Sequence, residues 1–312
     1  MKQESLKAHI AIGCAMVIFG MMAPFSKDVA NTGITGLQLA TFRIVGAALM
    51  FWLIAPFTPQ CRIEKRDIPK FLLAGLLGVV LCQGLYIIGV SITSPVNASI
   101  EVTAQPIFTM ILAAVIIGEP ITWRKAAGVF LGFAGAVILI LVGTRIGGNA
   151  ADFRGDLLVL TGQLAFAFYL TLFQKLIRKY NVFTFNRWLF TFGALILLPF
   201  TFKDMMHLDK SLLTPGTVAE ISYIIIACTF ITFMLVVYAQ GQLRPTVVSS
   251  YNYIQPVVTV IASLIMGIAI VKWQQLLAAV LIFFGVWLVI TSKSKADMTG
   301  HNEKQETNLK TK

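Results

Sequence analysis

Residues 94–123 read SPVNASIEVTAQPIFTMILAAVIIGEPITW, a mostly apolar stretch that carries Glu101 and Pro106 in its interior. When the chain is shifted by 150 residues, this stretch aligns with a second copy, and 11 of the 46 positions from 95 to 140 are identical without a gap. Chance similarity between two apolar helices would not align two prolines, a glutamine and a tryptophan in one register. The chain therefore contains an internal repeat. The most informative matches are Pro95 with Pro245, Gln105 with Gln255, Pro106 with Pro256, and Trp123 with Trp273.

The composition indicates a chain that lives in a lipid bilayer. Of the 312 residues, 57% are hydrophobic and 12% are charged, and the mean hydropathy is +0.81. The charged fraction is about half that of a typical soluble domain. Lipid offers no hydrogen-bond partner to the backbone, so only helices of about 20 apolar residues or closed barrels can cross it. Barrel strands would alternate in polarity, and these runs do not. We therefore predict an all-α integral membrane protein.

Ten apolar runs long enough to form transmembrane helices can be drawn. Each repeat contains five helices, and an odd number of crossings reverses the direction of the chain. The second repeat must therefore be inverted relative to the first. We predict two inverted five-helix repeats, residues 1–145 and 146–291, followed by a disordered cytoplasmic tail at 292–312. Inverted repeats are common in secondary transporters, whose sites lie near the middle of the membrane. The runs are about 8–25, 36–57, 71–90, 95–117, 123–142, 157–173, 183–202, 221–238, 246–271 and 273–291.

The net charge of +11 is distributed as a topology signal. With Arg43 and Arg187 set aside, the side that holds both termini carries seventeen basic residues and the other side six. The positive-inside rule then places both termini in the cytoplasm, with the protein spanning the cytoplasmic (inner) membrane. The basic excess faces membrane lipids and does not indicate a nucleic-acid partner.

Polar residues in the opening stretch form a stripe along one helix. Asn97, Glu101, Gln105 and Thr109 are four residues apart, which places them on nearly the same helix face. Pro106 lacks an N–H and its ring clashes with the carbonyl four residues earlier, so the helix should bend beside Glu101. We predict that Pro106 acts as a hinge beside a binding or coupling surface.

The second copy carries its own polar patch at the corresponding depth. Tyr251, Asn252 and Gln255 precede or adjoin Pro256, the matching hinge. We predict that the two kinked helices face a shared centre, where these side chains bind substrate or take part in coupling.

Each of these side chains also has a purely structural interpretation. Asn, Gln and Thr in membrane helices often form interhelical hydrogen bonds worth about 1 kcal/mol or less. Glu101 is either functional or a protonated hydrogen-bonding group, because a carboxylate within the bilayer costs several kcal/mol unless it is solvated, paired or protonated. Arg43 and Arg187 lie near the helix ends of the predicted spans, so we interpret them as snorkelling to the interface and leave them out of the site.

The stretch SPVNASIEVTAQPIFT, followed by GEPITW and GFAGAVILI, resembles the signature region of the EamA family in the drug/metabolite transporter superfamily. The resemblance covers both repeats. It implies a ten-helix carrier of small metabolites in the cytoplasmic membrane, with helices four and nine lining a central cavity. Two departures bear on coupling: the family often has Glu where this chain has Gln105 and Gln255, and residues 266–269 replace the second Gly-Glu with MGIA.

The resulting hypothesis is a secondary transporter, working by alternating access as an exporter of a small metabolite or drug-like solute. Protons are a candidate coupling partner, and a passive facilitator without ion coupling is an alternative. A non-transporting membrane scaffold or receptor is another. No hydrolase or metalloprotease motif occurs, the three histidines lie at run ends or in loops, and we expect no enzyme activity, cofactor or metal. The substrate and the oligomeric state are left open.

Overall fold

The structure is a computed structural model that describes residues 2–59, 61–92, 101–143, 153–265 and 273–292. Within these ranges the chain is helical with short connections and has no β-strand. The α-helices are α1 Lys2–Gly20, α2 Met22–Asn31, α3 Gly36–Leu53, α4 Ile68–Gly75, α5 Cys82–Ile92, α6 Gln105–Ile117, α7 Trp123–Gly143, α8 Phe153–Leu172, α9 Gln174–Lys179, α10 Val182–Met206, α11 Pro215–Ile225, α12 Thr232–Gln242, α13 Pro245–Ser250, α14 Ile254–Ile265 and α15 Trp273–Ile290.

Local sequence signals set several of these helix ends. Thr35 and Gln38 form a capping box at the start of α3, in which each side chain bonds the other residue's backbone N–H. Asn181 caps α10 by accepting from the Thr184 N–H at 2.7 Å. Gly118 ends α6 with a left-handed φ of 65°, which glycine adopts without strain.

Four continuous helical segments of the described chain are long and apolar enough to cross a membrane: Gly36–Leu53, Lys65–Tyr86, Val182–Met206 and Pro215–Gln242. Four further helices are apolar but shorter, Ser5–Gly20, Gln105–Ile117, Leu157–Leu172 and Leu276–Ile290. The all-helical fold agrees with the prediction from sequence. That the chain crosses the membrane ten times remains a prediction. Several of the predicted runs are interrupted, and others extend into residues 93–100 and 266–272, outside the described ranges.

Two π-helical segments occupy matching places in the two halves. Residues Leu76–Leu81 connect α4 to α5, and Ile226–Ile231 connect α11 to α12. The two segments are separated by the same 150 residues that align the sequence repeat. The similarity between the halves therefore extends to the helical stretches that contain these segments, although the two stretches share little sequence identity.

The helix contacts are arranged symmetrically about the boundary between the halves. Helix α7 packs on its counterpart α15, and α3 packs on α10. Helices α5 and α6 of the first half pack on α8 of the second, while α12 and α14 of the second half pack on α1 of the first. A two-fold axis that relates the halves would produce this exchange of partners.

The α7–α15 contact depends on glycine. A Cβ on Gly128 would lie 2.6 Å from the Gly285 carbonyl oxygen, and a Cβ on Gly285 would lie 2.6 Å from the Gly128 oxygen. Only glycine allows the two backbones to approach this closely. Gly135 on α7 makes a similar close approach, since a Cβ there would lie 2.9 Å from the Ala278 carbonyl oxygen.

Apolar side chains are distributed as a membrane protein requires. A buried aromatic core joins the halves, with Phe51 against Phe190 at 5.6 Å and Phe190 against Phe233 at 4.9 Å between ring centroids. The outer surface exposes large apolar residues such as Val115 and Phe200. Such a surface is unfavourable in water and favourable against lipid tails.

One end of the bundle, which we call the basic end, is held by ion pairs between connecting segments. Lys179 Nζ lies 2.6 Å from the buried Asp67 carboxylate, and Tyr180 donates to the same oxygen at 2.8 Å. Lys125 Nζ lies 2.8 Å from Glu119, whose other oxygen accepts from Thr246 at 2.9 Å. These contacts tie the two halves of the chain together at this end.

Candidate functional site

Both polar helices are interrupted just before their prolines. In the first half, a turn at Thr103 and Ala104 separates the helical residues 101–102 from α6, and Pro106 is the second residue of α6. In the second half, a 3₁₀ turn at Tyr251–Tyr253 separates α13 from α14, and Pro256 is the third residue of α14. A proline forces this outcome because it removes one helical donor and crowds the preceding turn.

The two interrupted helices meet through a chain of amide hydrogen bonds. Asn252 Nδ2 donates to Gln105 Oε1, and Gln255 Nε2 donates to Asn252 Oδ1 at 3.2 Å. Asn252 therefore bridges the two glutamines that the 150-residue shift aligns. The chain continues from Gln105 Nε2 to Thr109 Oγ1 at 3.2 Å, and both of these side chains are fully buried.

The far end of the amide chain reaches α1. Gln255 Nε2 lies 3.3 Å from the thioether sulfur of Met16, and Tyr251 OH lies 2.9 Å from His9 Nδ1 on the same helix. Helices α1 and α6, the turn at 251–253 and the start of α14 thus surround a polar centre, and the hydrogen-bonded side chains that the structure describes there include no carboxylate, lysine or arginine. Such a centre can hydrogen-bond a solute with both donors and acceptors.

The remaining predicted site residues lie around this centre or outside the described ranges. Glu101 is half-buried and lies four residues before Gln105, on the other side of the turn at Thr103 and Ala104. Tyr251 adjoins Asn252 but points its hydroxyl to His9. Asn97 falls within residues 93–100, outside the part of the chain that the structure describes, so its role stays a prediction.

Arg43 corrects the interpretation made from sequence. Snorkelling would leave its guanidinium at a surface, but only 6% of Arg43 is exposed, and Nε donates to Thr229 Oγ1 at 3.2 Å. It is the eighth residue of α3, about 10 Å from the helix start at 1.5 Å per residue. Arg187 differs, because its guanidinium carbon lies 4.8 Å from the exposed Trp52 ring.

Two stretches of this chain, residues 6–141 and 153–291, match the model of the EamA-like transporter family. Together they cover nearly the whole chain, and the interval between them falls where the two halves join. The chain belongs to the EamA-like transporter family. It is therefore a multi-pass membrane protein of a family of transporters, and the family resemblance seen in the sequence is confirmed.

Similar proteins carry the same description. A protein of Archaeoglobus fulgidus named "Uncharacterized transporter" is 28% identical over 263 residues, covering 82% of this chain and 87% of the relative. The "Uncharacterized transporter YyaM" of Bacillus subtilis is 23% identical, covering 86% of this chain and 87% of its own. A solved crystal structure superposes with a TM-score of 0.74 at 16% identity, covering 92% of this chain and 96% of that one, which shows a shared fold.

Sequence reasoning missed several EamA residues that the structure brings into contact. His9 was interpreted only as a histidine at the end of an apolar run and Met16 was not singled out, because helical spacing cannot say which neighbouring helix faces a polar stripe. Glu119 was seen only as part of the family signature, yet it pairs with Lys125, a residue that is 1% exposed. The sequence did carry a signal for this ion pair, because an acid and a lysine lie six residues apart on either side of a helix start.

The geometry offers hydrogen-bonding chemistry and no metal site among the described residues, where no group of three His, Cys, Asp or Glu side chains converges. The names of the family and of its relatives point to transport and not to an enzyme. What the arrangement can do chemically is to recognise a solute and to exchange one set of hydrogen bonds for another.

Proposed function

We propose that this EamA protein is a secondary transporter that moves a small metabolite or drug-like solute across the cytoplasmic membrane by alternating access. The observation that carries the proposal is the amide chain from Gln105 through Asn252 to Gln255. It joins equivalent positions of the two halves at a point where both helices are interrupted. A site shared by two similar halves can open to either side when the halves rock against each other.

In this proposal the chain forms ten transmembrane helices as two inverted five-helix repeats, residues 1–145 and 146–291. Both termini face the cytoplasm, and residues 292–312 form a cytoplasmic tail. The ion pairs of the basic end then hold the cytoplasmic side closed. Opening that side requires the contacts of Asp67 and Glu119 across the halves to separate.

The central side chains are assigned to the solute. Gln105, Asn252 and Gln255 exchange their mutual hydrogen bonds for bonds to the solute, at a net change of about 1 kcal/mol for each bond. Asn97, Glu101 and Tyr251 complete the surface. Pro106 and Pro256 serve as hinges, because the interrupted helices can bend there without breaking further backbone hydrogen bonds.

We propose export as the direction, and the name of one relative supports it. A Streptantibioticus cattleyicolor protein named "Probable terminal-alkyne amino-acid exporter" is 28% identical over 170 residues, covering 54% of this chain and 55% of its own. Glu101 is the candidate carrier of a coupling proton, since an acid within the bilayer is costly unless it serves a function.

A passive facilitator is the second candidate. The glutamine pair supplies a neutral centre at which solute can bind without an ion. Glu101 would then be a protonated hydrogen-bonding group.

The test is transport by the purified protein in liposomes loaded with a mixture of amino acids, nucleosides and organic cations. We expect at least one solute class to move faster than in protein-free liposomes, and a pH gradient to drive its accumulation. Movement without accumulation would favour the facilitator. No movement of any solute class, with the protein folded and inserted, would favour a scaffold or receptor.

A further inference from the structure

Arg43 is a buried cation that has no carboxylate partner among the described residues. Only 6% of it is exposed, and its one hydrogen bond within that part of the chain is from Nε to Thr229 Oγ1 at 3.2 Å. None of the ion pairs among the described residues includes it. A buried charge is normally paired, because removal from water penalises the ionised form.

The surroundings of Arg43 are neutral at pH 7. The ionisable groups that act on it electrostatically are the thiols of Cys82 and Cys228 and the phenol of Tyr86. They lie on the two helical stretches that contain the π segments, 68–92 and 215–242. Uncharged groups can solvate a guanidinium in part, but they do not balance its charge.

The hydrogen bond to Thr229 fixes the orientation of the guanidinium. Thr229 lies in the π segment Ile226–Ile231, near the middle of the helical stretch Pro215–Gln242. Its hydroxyl proton goes to the Ile224 carbonyl at 2.8 Å, so its oxygen is left to accept from Arg43. π segments often mark functional sites, and this one positions the acceptor that holds Nε.

The terminal nitrogens of Arg43 are therefore available to a ligand. A guanidinium carries five N–H donors. The Nε–H of Arg43 bonds Thr229, and the four terminal N–H groups form no hydrogen bond with the described residues. A planar guanidinium whose terminal donors are open fits a carboxylate, which accepts two parallel bonds and balances the charge.

Helix α1 contacts both the surroundings of Arg43 and the polar centre. Cys228 Sγ, next to Thr229, lies 3.5 Å from the Ile18 carbonyl. Met16, two residues earlier on α1, contacts Gln255 of the amide chain at 3.3 Å. Both contacts fall within one turn of α1, and in our proposal one solute spans the two places.

We infer that Arg43 binds the carboxylate of the transported solute, which makes this protein a carrier of carboxylate-bearing, and not purely cationic, solutes. The inference deepens the proposed function, since it names the solute class and the residue that selects it. The amide chain would then bind the polar or neutral part of the same molecule.

The experiment compares carboxylates with their amides. Purified protein in chloride-free buffer is titrated with acetate against acetamide, hexanoate against hexanamide, and leucine against leucinamide, with the thermal unfolding midpoint as readout. A ligand that binds the folded protein raises this midpoint by mass action. We expect the carboxylates to raise it and the amides to act at least 10-fold more weakly.

Three variants separate binding from folding. Arg43→Gln should lose the preference for carboxylates, Arg43→Lys should keep it with reduced affinity, and Arg187→Gln, the matched control beside Trp52, should retain wild-type binding. If Arg43→Gln does not fold, the wild-type comparison and Arg43→Lys still decide the question. Equal effects of acid and amide on the wild-type protein, including no effect of either, would overturn the inference.

The binding experiment and the liposome transport experiment can fail independently of each other. Carboxylate binding without solute movement in liposomes would keep the Arg43 site and refute the proposed function. Transport of neutral or cationic solutes at equal rates by wild type and Arg43→Gln would keep the function and refute the site.

Discussion

At the scale of single residues, the polar centre is built from amides, and this choice has a chemical consequence. Gln105, Asn252 and Gln255 each carry both donors and an acceptor, so they can pair with one another when the site is empty. Carboxylates at these positions would repel each other unless protonated. The amides do not themselves titrate, and in our proposal Glu101 supplies the group whose titration is coupled to transport.

Glu101→Gln tests whether that titration drives transport. If Glu101 carries a coupling proton, the amide mimics the permanently protonated form, so pH-gradient-driven accumulation should fall to the level of equilibration while solute exchange persists. The measurement is uptake and exchange in liposomes between pH 5.5 and 8. Glu220→Gln on α11 is the control and should behave as wild type.

Two other results for Glu101→Gln have distinct meanings. Weaker solute binding at every pH would indicate that Glu101 pairs with a cationic group of the solute. Transport with unaltered rate and pH dependence would make Glu101 a neutral hydrogen-bonding group in the helix packing.

At the scale of helices, irregular segments recur in both halves at the same register. The π segments Leu76–Leu81 and Ile226–Ile231 are 150 residues apart, and the two helix interruptions precede prolines, Pro106 and Pro256, that are also 150 residues apart. Interrupted helices bend more easily than continuous ones, because fewer backbone hydrogen bonds must break. Regular packing elsewhere, as between α7 and α15, supplies the rigid parts that move against one another.

Pro106→Ala tests the hinge at this scale. Alanine restores the missing N–H donor, so the helix should straighten and the protein should remain folded, while the balance between inward-open and outward-open states shifts. We expect a severalfold change in transport rate for Pro106→Ala and for Pro256→Ala. Pro199→Ala, inside α10, is the matched control. Unchanged kinetics in both hinge variants would leave these prolines a structural role only.

Gly128→Ala tests the rigid contact between α7 and α15. The added methyl group would lie 2.6 Å from the Gly285 oxygen and 2.9 Å from Leu288 Cβ, so the helices must separate. We expect a loss of about 1–3 kcal/mol in unfolding free energy, the usual cost of overpacking, measured as a lower thermal midpoint in detergent. Gly84→Ala has nothing within 4 Å of the new methyl group and should be neutral or slightly stabilising. Equal midpoints for the two variants would contradict the packing argument.

At the scale of the whole molecule, the halves are joined at the centre by hydrogen bonds and at the basic end by charge. Bonds to Asp67 and Glu64 raise the pKa of Lys179 above its usual range, and the bond from Lys179 lowers the pKa of Glu64. Charged contacts between connecting segments can break and reform as the halves move. The basic end is thus suited to hold one state of the transporter.

Lys179→Met tests that contribution and its pH dependence. The variant keeps the apolar stem but leaves Asp67 with Lys70 and Tyr180 alone, so its thermal midpoint should be lower than that of wild type at pH 7. Since the folded pKa of Lys179 is raised, its contribution is present below pH 10.5 and is lost only above the raised value. Since the folded pKa of Glu64 is lowered, its contribution is present above pH 4.5 and is lost as the pH falls.

The difference between Lys179→Met and wild type should therefore stay constant from about pH 5 to pH 10 and shrink in more acidic buffer. Lys175→Met, an exposed lysine on the same helix, is the control and should match wild type. A difference that grows as the pH falls below 4.5 would argue against the ion pairs as its source.

The orientation of the chain in the membrane is predicted from its charge distribution. Seventeen basic residues on one side against six on the other favour both termini in the cytoplasm. Reporters fused after Lys65 and at the C-terminus should both give a cytoplasmic signal, and a reporter near Ala150 should give an external one. A cytoplasmic signal at Ala150 would refute the ten-helix arrangement.

The sequence by itself determined the class of the molecule. Long apolar runs with few charges leave lipid as the only suitable surroundings, and the 150-residue register of prolines and glutamines shows a repeat without any structure. Both properties are local, because they depend on which residues follow one another along the chain. The resemblance of its motifs to the EamA signature pointed to the correct family, and the repeat pointed to Gln105, Asn252 and Gln255 as candidate site residues.

Only the tertiary structure decided which of those residues meet. Helical spacing places Gln105 on a face but cannot say that Asn252 fills the space opposite, or that Met16 and His9 of α1 lie beside them. For Arg43 the sequence led to the wrong surroundings. A cation eight residues into a helix can snorkel or be buried, and the outcome depends on whether a neighbouring helix covers it. Here the π segment that contains Thr229 does so, and contacts between residues 186 positions apart are not encoded in local pattern.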